Sequence, residues 1–228
     1  MTIRIGLLVF PLVQQLDLTG PYEVFASLPD AEMHLPAAGL APVVTATGLV
    51  LAPTVTLADC PQLDVLCIPG GVGVNALLRD ADVLDFIRRQ AAGARFVTSV
   101  CTGALVLGAA GLLRGKRATT HWAAHDLLAG FGAIPVRARV VRDGALVTGG
   151  GVTAGIDFAL TLVAELAGPA AAATIALQLE YAPAPPFDGG SPDRAAPGVL
   201  AAAQVLGAAS RAERERILGE LGTVWAAR

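Results

Sequence analysis

Aromatic residues are scarce in this chain, at 5% of 228 residues, and charged residues make up only 15%. The low aromatic content, with abundant alanine, predicts a core of aliphatic strands and small-residue helix faces. Low charge does not mean disorder, because 54% of the residues are apolar and can offset the entropy of ordering. Basic runs are missing, and the net charge is −3. Nucleic acid is therefore not an expected partner, since phosphate binding needs clustered Lys and Arg. Three cysteines are too few, and of the wrong parity, for a disulfide framework. They predict free thiols in a reducing, cytoplasmic setting.

Two apolar runs invite a membrane reading and fail it. Ile5 to Val13 follows Arg4 as in a secretion signal, but no small-residue cleavage pattern follows and Asp17 arrives early. It reads as a buried first strand, Ile3 to Phe10. Phe96 to Leu113 carries no charge over 18 residues, close to a membrane span. Its first part is strand-like and its second contains Gly and Ala, so two buried elements joined by a turn are expected, with no membrane partner.

Strands alternating with helices predict an α/β fold: a mostly parallel sheet sandwiched by helices, in one domain over residues 1–228. Strands are expected at Met33–Ala38, Val43–Thr47, Val65–Ile68 and Phe96–Val100. A hairpin is expected around Asp143-Gly144, from Val136–Val141 and Ala145–Thr148. Helices are expected from Thr19 or Gly20 with Pro21 early, over Asp82–Ala92, Cys101–Ala110 and Trp122–Phe131, and from about Val152 to Leu166. Residues 182–198 read as an extended loop and 199–228 as a helical tail.

Ser99-Val-Cys-Thr-Gly103 is the most informative stretch. A strand running into a helix with a nucleophile at the junction is an elbow, which exposes the side chain at the carboxyl edge of the sheet. The helix behind Cys101 is expected to lower its pKa. Read without that context, Cys101 is a small buried core residue. Cys67 reads as core, and Cys60 has no partner that suggests a role. Pro69-Gly-Gly-Val-Gly73 offers backbone N–H groups at a strand end, or is simply a tight turn. Asp17 falls at the same sheet edge and reads either as a proton carrier or as a capping carboxylate. Thr102 can touch substrate or bond its own helical turn. His121 and His125 are spaced i, i+4 on one expected helix, but no third ligand completes a metal site. His121 is also placed near Cys101 as a supporting donor.

These stretches together resemble the PfpI-like, class I glutamine-amidotransferase-like superfamily, and within it the isonitrile hydratases. The resemblance rests on Asp17-Leu-Thr-Gly-Pro-Tyr-Glu-Val-Phe25, Ile68-Pro-Gly-Gly71, Ser99–Gly103 and Ala109-Ala-Gly-Leu-Leu113. It continues through Ala118-Thr-Thr-His-Trp122, Thr148–Asp157, Gln178-Leu-Glu-Tyr181 and Pro185-Pro-Phe-Asp188, covering nearly the whole chain. It implies a flavodoxin-like fold, a homodimer, and hydration of an isonitrile to an N-substituted formamide without metal or organic cofactor. Cys101 would attack the terminal carbon to give a thioimidate, with Asp17 as general acid and base. Thr102 and the backbone of Gly71 and Val72 would orient the substrate, with Gly150 beside the pocket. Many superfamily proteases and deglycases carry glutamate in the first loop and histidine after the nucleophile. Here those positions are Asp17 and Thr102, which argues against a peptidase. Three other readings share the motifs: a stand-alone ligand sensor like those fused to AraC-type regulators, a redox sensor, and a glyoxal-directed enzyme. A DNA-binding helix pair has no room after Asp188.

Overall fold

A computed structural model of the chain describes residues 2–226. Its centre is a six-stranded sheet built from β1 (Ile3–Leu7), β2 (Ala31–His34), β3 (Val65–Ile68), β4 (Phe96–Val100), β5 (Val140–Asp143) and β6 (Leu146–Gly149). The strand order is β5-β6-β4-β3-β1-β2. Neighbours are parallel except β5 and β6, an antiparallel hairpin turning at Gly144 (φ 64°). The four residues of β3 are completely buried, as a strand covered on both faces requires.

One face carries α1 (Gln15–Ala26), α4 (Ala154–Ala167) and α5 (Pro169–Gln178), around Phe25, Phe158 and Leu162. The other carries α2 (Ala81–Gly93), α3 (Gly103–Ala109), a 3₁₀ helix (Trp122–Phe131) and α6 (Pro197–Ala226). Leu105, Leu128 and Ile217 belong to this second core. This is the flavodoxin-like architecture expected. The charge-free run 96–113 becomes β4 and α3, and no described helix is long and apolar enough to cross a membrane.

Chain order reverses between β1 and β3, because β1 is followed in sequence by β2 on one side and neighbours β3 on the other. Such a switch point opens a crevice at the carboxyl ends of the strands. The segments after β1, β3 and β4 all end there.

Several boundaries differ from the sequence reading. Helix α1 begins at Gln15, so Pro21 lies inside the helix and Asp17 in its first turn. Its ring lies close to Gly155 of α4, where a Cβ would sit 3.1 Å from Pro21 Cδ. The Val43 strand is reduced to a two-residue hairpin with Val50–Leu51, turning at Gly48 (φ 85°). Helix α5 is not anticipated, although Gly168 (φ 90°) followed by Pro169 is a stop-and-restart signal. Residues 182–196 form no helix or strand, and the tail is one helix beginning at Pro197. The end of the expected tail, 227–228, lies outside the described residues.

Candidate active site

Cys101 has φ 55°, in the left-handed region where a residue with a Cβ is strained. The strain is held by hydrogen bonds on both sides of the residue. Its amide donates to the carbonyls of Gly149 at 3.1 Å and Gly150 at 2.7 Å, and its carbonyl accepts from Thr120 Oγ1 at 2.6 Å. Behind it, α3 lies so close to β3 that a Cβ on Gly103 would sit 2.0 Å from the Ile68 carbonyl oxygen. The elbow therefore depends on a glycine two residues past Cys101. Helix α3 starts at Gly103 rather than at Cys101, which belongs to the turn.

Asp17 is fully buried in the first turn of α1. Its Oδ2 accepts the Gly70 amide at 2.9 Å. Oδ1 has no donor in acceptable hydrogen-bond geometry. The carboxyl is nonetheless near enough to the Cys101 thiol for each to alter the other's proton affinity. Gly70 is the hinge of this arrangement. A Cβ there would lie 2.6 Å from Thr102 N and 2.7 Å from both Asp17 Oδ2 and Thr102 Oγ1.

The Thr102 side chain turns toward Gly71, whose amide it accepts at 3.1 Å. That amide, expected to face a substrate, is thus committed within the protein. The Thr102 backbone amide is the group directed at the Cys101 sulfur. Val72 is half exposed, and Gly150 meets Cys101 through its carbonyl while its own amide donates to Arg139 O at 2.9 Å.

Electrostatics overturn one expectation. Burial pushes the Cys101 thiol well above its ordinary pKa, and the Asp17 charge adds to this. The Thr102 amide and the Arg214 guanidinium lower it without compensating. A seven-residue helix in a desolvated site does not give a low-pKa cysteine. Burial also raises Asp17 to about 7, with the Gly70 amide and the Cys101 thiol pulling the other way. Cys67, fully buried on β3, is pushed up to about 12 by burial, and the half-buried Cys60 to about 11. Both read as inert thiols.

His121 is not on a shared α-helical face with His125, because it caps the 3₁₀ helix and accepts the Ala123 amide at Nδ1. Burial, then Arg214, lowers its pKa, so it stands neutral at pH 7. Both histidines line a cavity of about 620 Å³ beside the elbow. The cavity is also lined by Thr120, Gly150–Ala154, Arg137, Arg139, Gly190–Asp193, and Leu200 and Gln204 of α6. Arg214 is the residue sequence reasoning missed. It lies in the run Arg211–Arg216, where nothing marks one arginine as buried. The only signal is spacing: Ser210, Arg214, Ile217 and Leu221 repeat every three or four residues, continuing the apolar stripe of α6 toward the site.

A strained cysteine at a strand-helix elbow, with a buried carboxyl group at the switch point of a parallel sheet, defines the class: an α/β protein with a cysteine at its strand-helix elbow. The profile of the DJ-1/PfpI family matches residues 3–165, and the chain belongs to that family. It is 64% identical over 217 residues to the isonitrile hydratase of Pseudomonas putida, with 95% of each chain covered. A ThiJ/PfpI family protein of Pseudomonas syringae superposes with a TM-score of 0.94 at 45% identity, over 96% of this chain and 91% of that one. Drosophila melanogaster DJ-1beta shares the fold, with a TM-score of 0.73 at 24% identity, over 79% of this chain and 98% of its own.

Proposed function

We propose that this chain is an isonitrile hydratase, an enzyme that adds water to R–NC to give R–NH–CHO. The observation that carries this is its 64% identity to the Pseudomonas putida enzyme across 95% of both chains. The chemistry of the site is consistent with it.

An isonitrile carbon has a lone pair, so it takes a proton and a nucleophile at the same atom. A thiol next to a carboxyl with a pKa of about 7 suits that demand. In this reading the Asp17 carboxylate takes the Cys101 proton as sulfur bonds to the terminal carbon, then delivers it to that carbon. The product is the thioimidate R–N=CH–S–Cys101. Asp17 next removes a proton from water as the oxygen adds to this carbon, and returns it to the nitrogen. Collapse of the tetrahedral adduct, its hydroxyl proton passing to sulfur, releases the formamide and restores the thiol. The raised thiol pKa fits a nucleophile that is deprotonated only as it attacks. Thr102 steadies the sulfur through its amide, and Gly71 fixes the Thr102 hydroxyl. The R group would extend past Gly150 into the 620 Å³ cavity. A cytoplasmic homodimer belongs to the same reading.

The test is formamide production from one aryl and one alkyl isonitrile, with methylglyoxal as the competing substrate. Turnover of isonitriles is expected, abolished in Cys101→Ala and reduced at least about a hundredfold in Asp17→Asn. Turnover of methylglyoxal alone, or isonitrile hydration that survives Cys101→Ala, would overturn it.

A further inference from the structure

Helix α6 passes the site and is fastened beside it through two adjacent residues. Arg211 donates to the Ala123 carbonyl at 2.7 Å and pairs with the Asp126 carboxylate through both terminal nitrogens. Asn75 Nδ2 donates to the carbonyl and hydroxyl of Ser210, each at 3.3 Å. One turn beyond these anchors Arg214 is buried, only 9% exposed. Its Nε donates to Asn75 Oδ1 at 2.9 Å and its Nη2 to the Gly71 carbonyl at 3.1 Å.

The arginines around it have acidic partners: Arg211 pairs with Asp126 and Glu215, and Arg216 with Glu213 and Glu220. Among the described residues no carboxylate pairs with Arg214. A buried guanidinium with neutral partners alone is costly, and an apolar side chain beside Ile217 would avoid that cost. The position makes physical sense if a negative charge appears nearby. Its anchor, Gly71, is the residue that holds the Thr102 hydroxyl, and Thr102 adjoins the nucleophile.

We propose that Arg214 is a positioning residue of the catalytic centre, its guanidinium held by Asn75 and Gly71 to supply the positive charge against which Cys101 becomes anionic. The charged and titratable groups around the thiol fit that role. Asp17 from α1 opposes the thiolate, and Cys67 from β3 is held protonated by burial. His121, before the 3₁₀ helix, is held neutral. Arg214 from α6 is the cation that acts on Cys101, and the effect is mutual. The C-terminal helix is thereby a working part of the site. Only the turnover arm of the test rests on the hydratase reading.

Site-resolved alkylation of Cys101 by iodoacetamide at pH 8, followed by peptide mass spectrometry, reads the thiolate fraction directly. Three variants separate charge from anchoring: Arg214→Met, Arg214→Gln, which keeps a hydrogen bond for α6, and Arg214→Lys, which keeps the charge. Alkylation is expected to slow about tenfold in the Met and Gln variants and to return to near the wild-type rate in the Lys variant. In isonitrile hydration kcat should fall at least about tenfold in Arg214→Gln with KM little changed, and recover in Arg214→Lys. An unchanged alkylation rate in Arg214→Gln, or a Lys variant as slow as Gln, overturns the proposal. Where Arg214→Met does not fold, the Gln and Lys pair decides. Slowed alkylation in a protein that hydrates no isonitrile would uphold the charge role and reject the hydratase.

Discussion

The Thr120 hydroxyl donates to the carbonyl of Cys101 at 2.6 Å, clamping from the front a backbone that the Gly149 and Gly150 carbonyls hold from behind. Both residues are buried, which makes the loss of the bond costly. Thr120→Val keeps the shape and removes the donor, leaving a buried carbonyl orphaned at about 1–3 kcal/mol. Because Cys101, the proposed nucleophile, sits at a strained φ, the same change should let it drift and lower kcat about ten- to a hundredfold. Urea unfolding together with turnover checks both. Unaltered stability would mean that the glycine carbonyls alone hold the elbow.

Asp17 makes the fold sensitive to pH in an unusual direction for a carboxylate. Its folded pKa of about 7 stands above the 3.8 of an unperturbed aspartate. From about pH 4 to 7 the folded chain holds a proton that the unfolded chain has released, so Asp17 makes stability fall as pH rises through that window. Asp17→Asn removes this contribution. The variant should therefore gain on the wild type as pH rises from 4 to 8, by at most about 4 kcal/mol. Unfolding curves across that range measure the difference, and parallel pH profiles for the two proteins would contradict it.

The parts of the site legible in the sequence were those written in local pattern. The elbow at Cys101, the glycines after β3 and the alternation of strands and helices follow from short motifs and apolar runs. What sequence could not show depends on depth and on distant contacts. Asp17 was visible as a carboxylate at a strand end, but its complete burial arises where the Gly70 turn and the Cys101 elbow meet it, which only the fold brings together. The thiol was expected to be acidic because a helix follows it, and burial outweighs that helix. Pro21 suggested a helix start, yet the helix begins at Gln15 and carries the proline in its interior. Arg214 comes from a segment 113 residues away from Cys101 in sequence, and only the fold brings it to the site.

The cavity beside the elbow predicts how the enzyme should discriminate between substrates. Gln204 is an exposed residue of α6 that lines the cavity, so enlarging it narrows the space without disturbing either core. Gln204→Trp should raise KM for a bulky aryl isonitrile about tenfold, since about 1.4 kcal/mol of lost contact or steric conflict suffices for that. A small alkyl isonitrile, which reaches Cys101 without filling the cavity, should keep its KM and kcat. The comparison needs both substrates, because a general loss would report only a disturbed α6. If the variant treats them alike at the wild-type level, the R group leaves the site by another route, past the exposed Val72 rather than beneath α6.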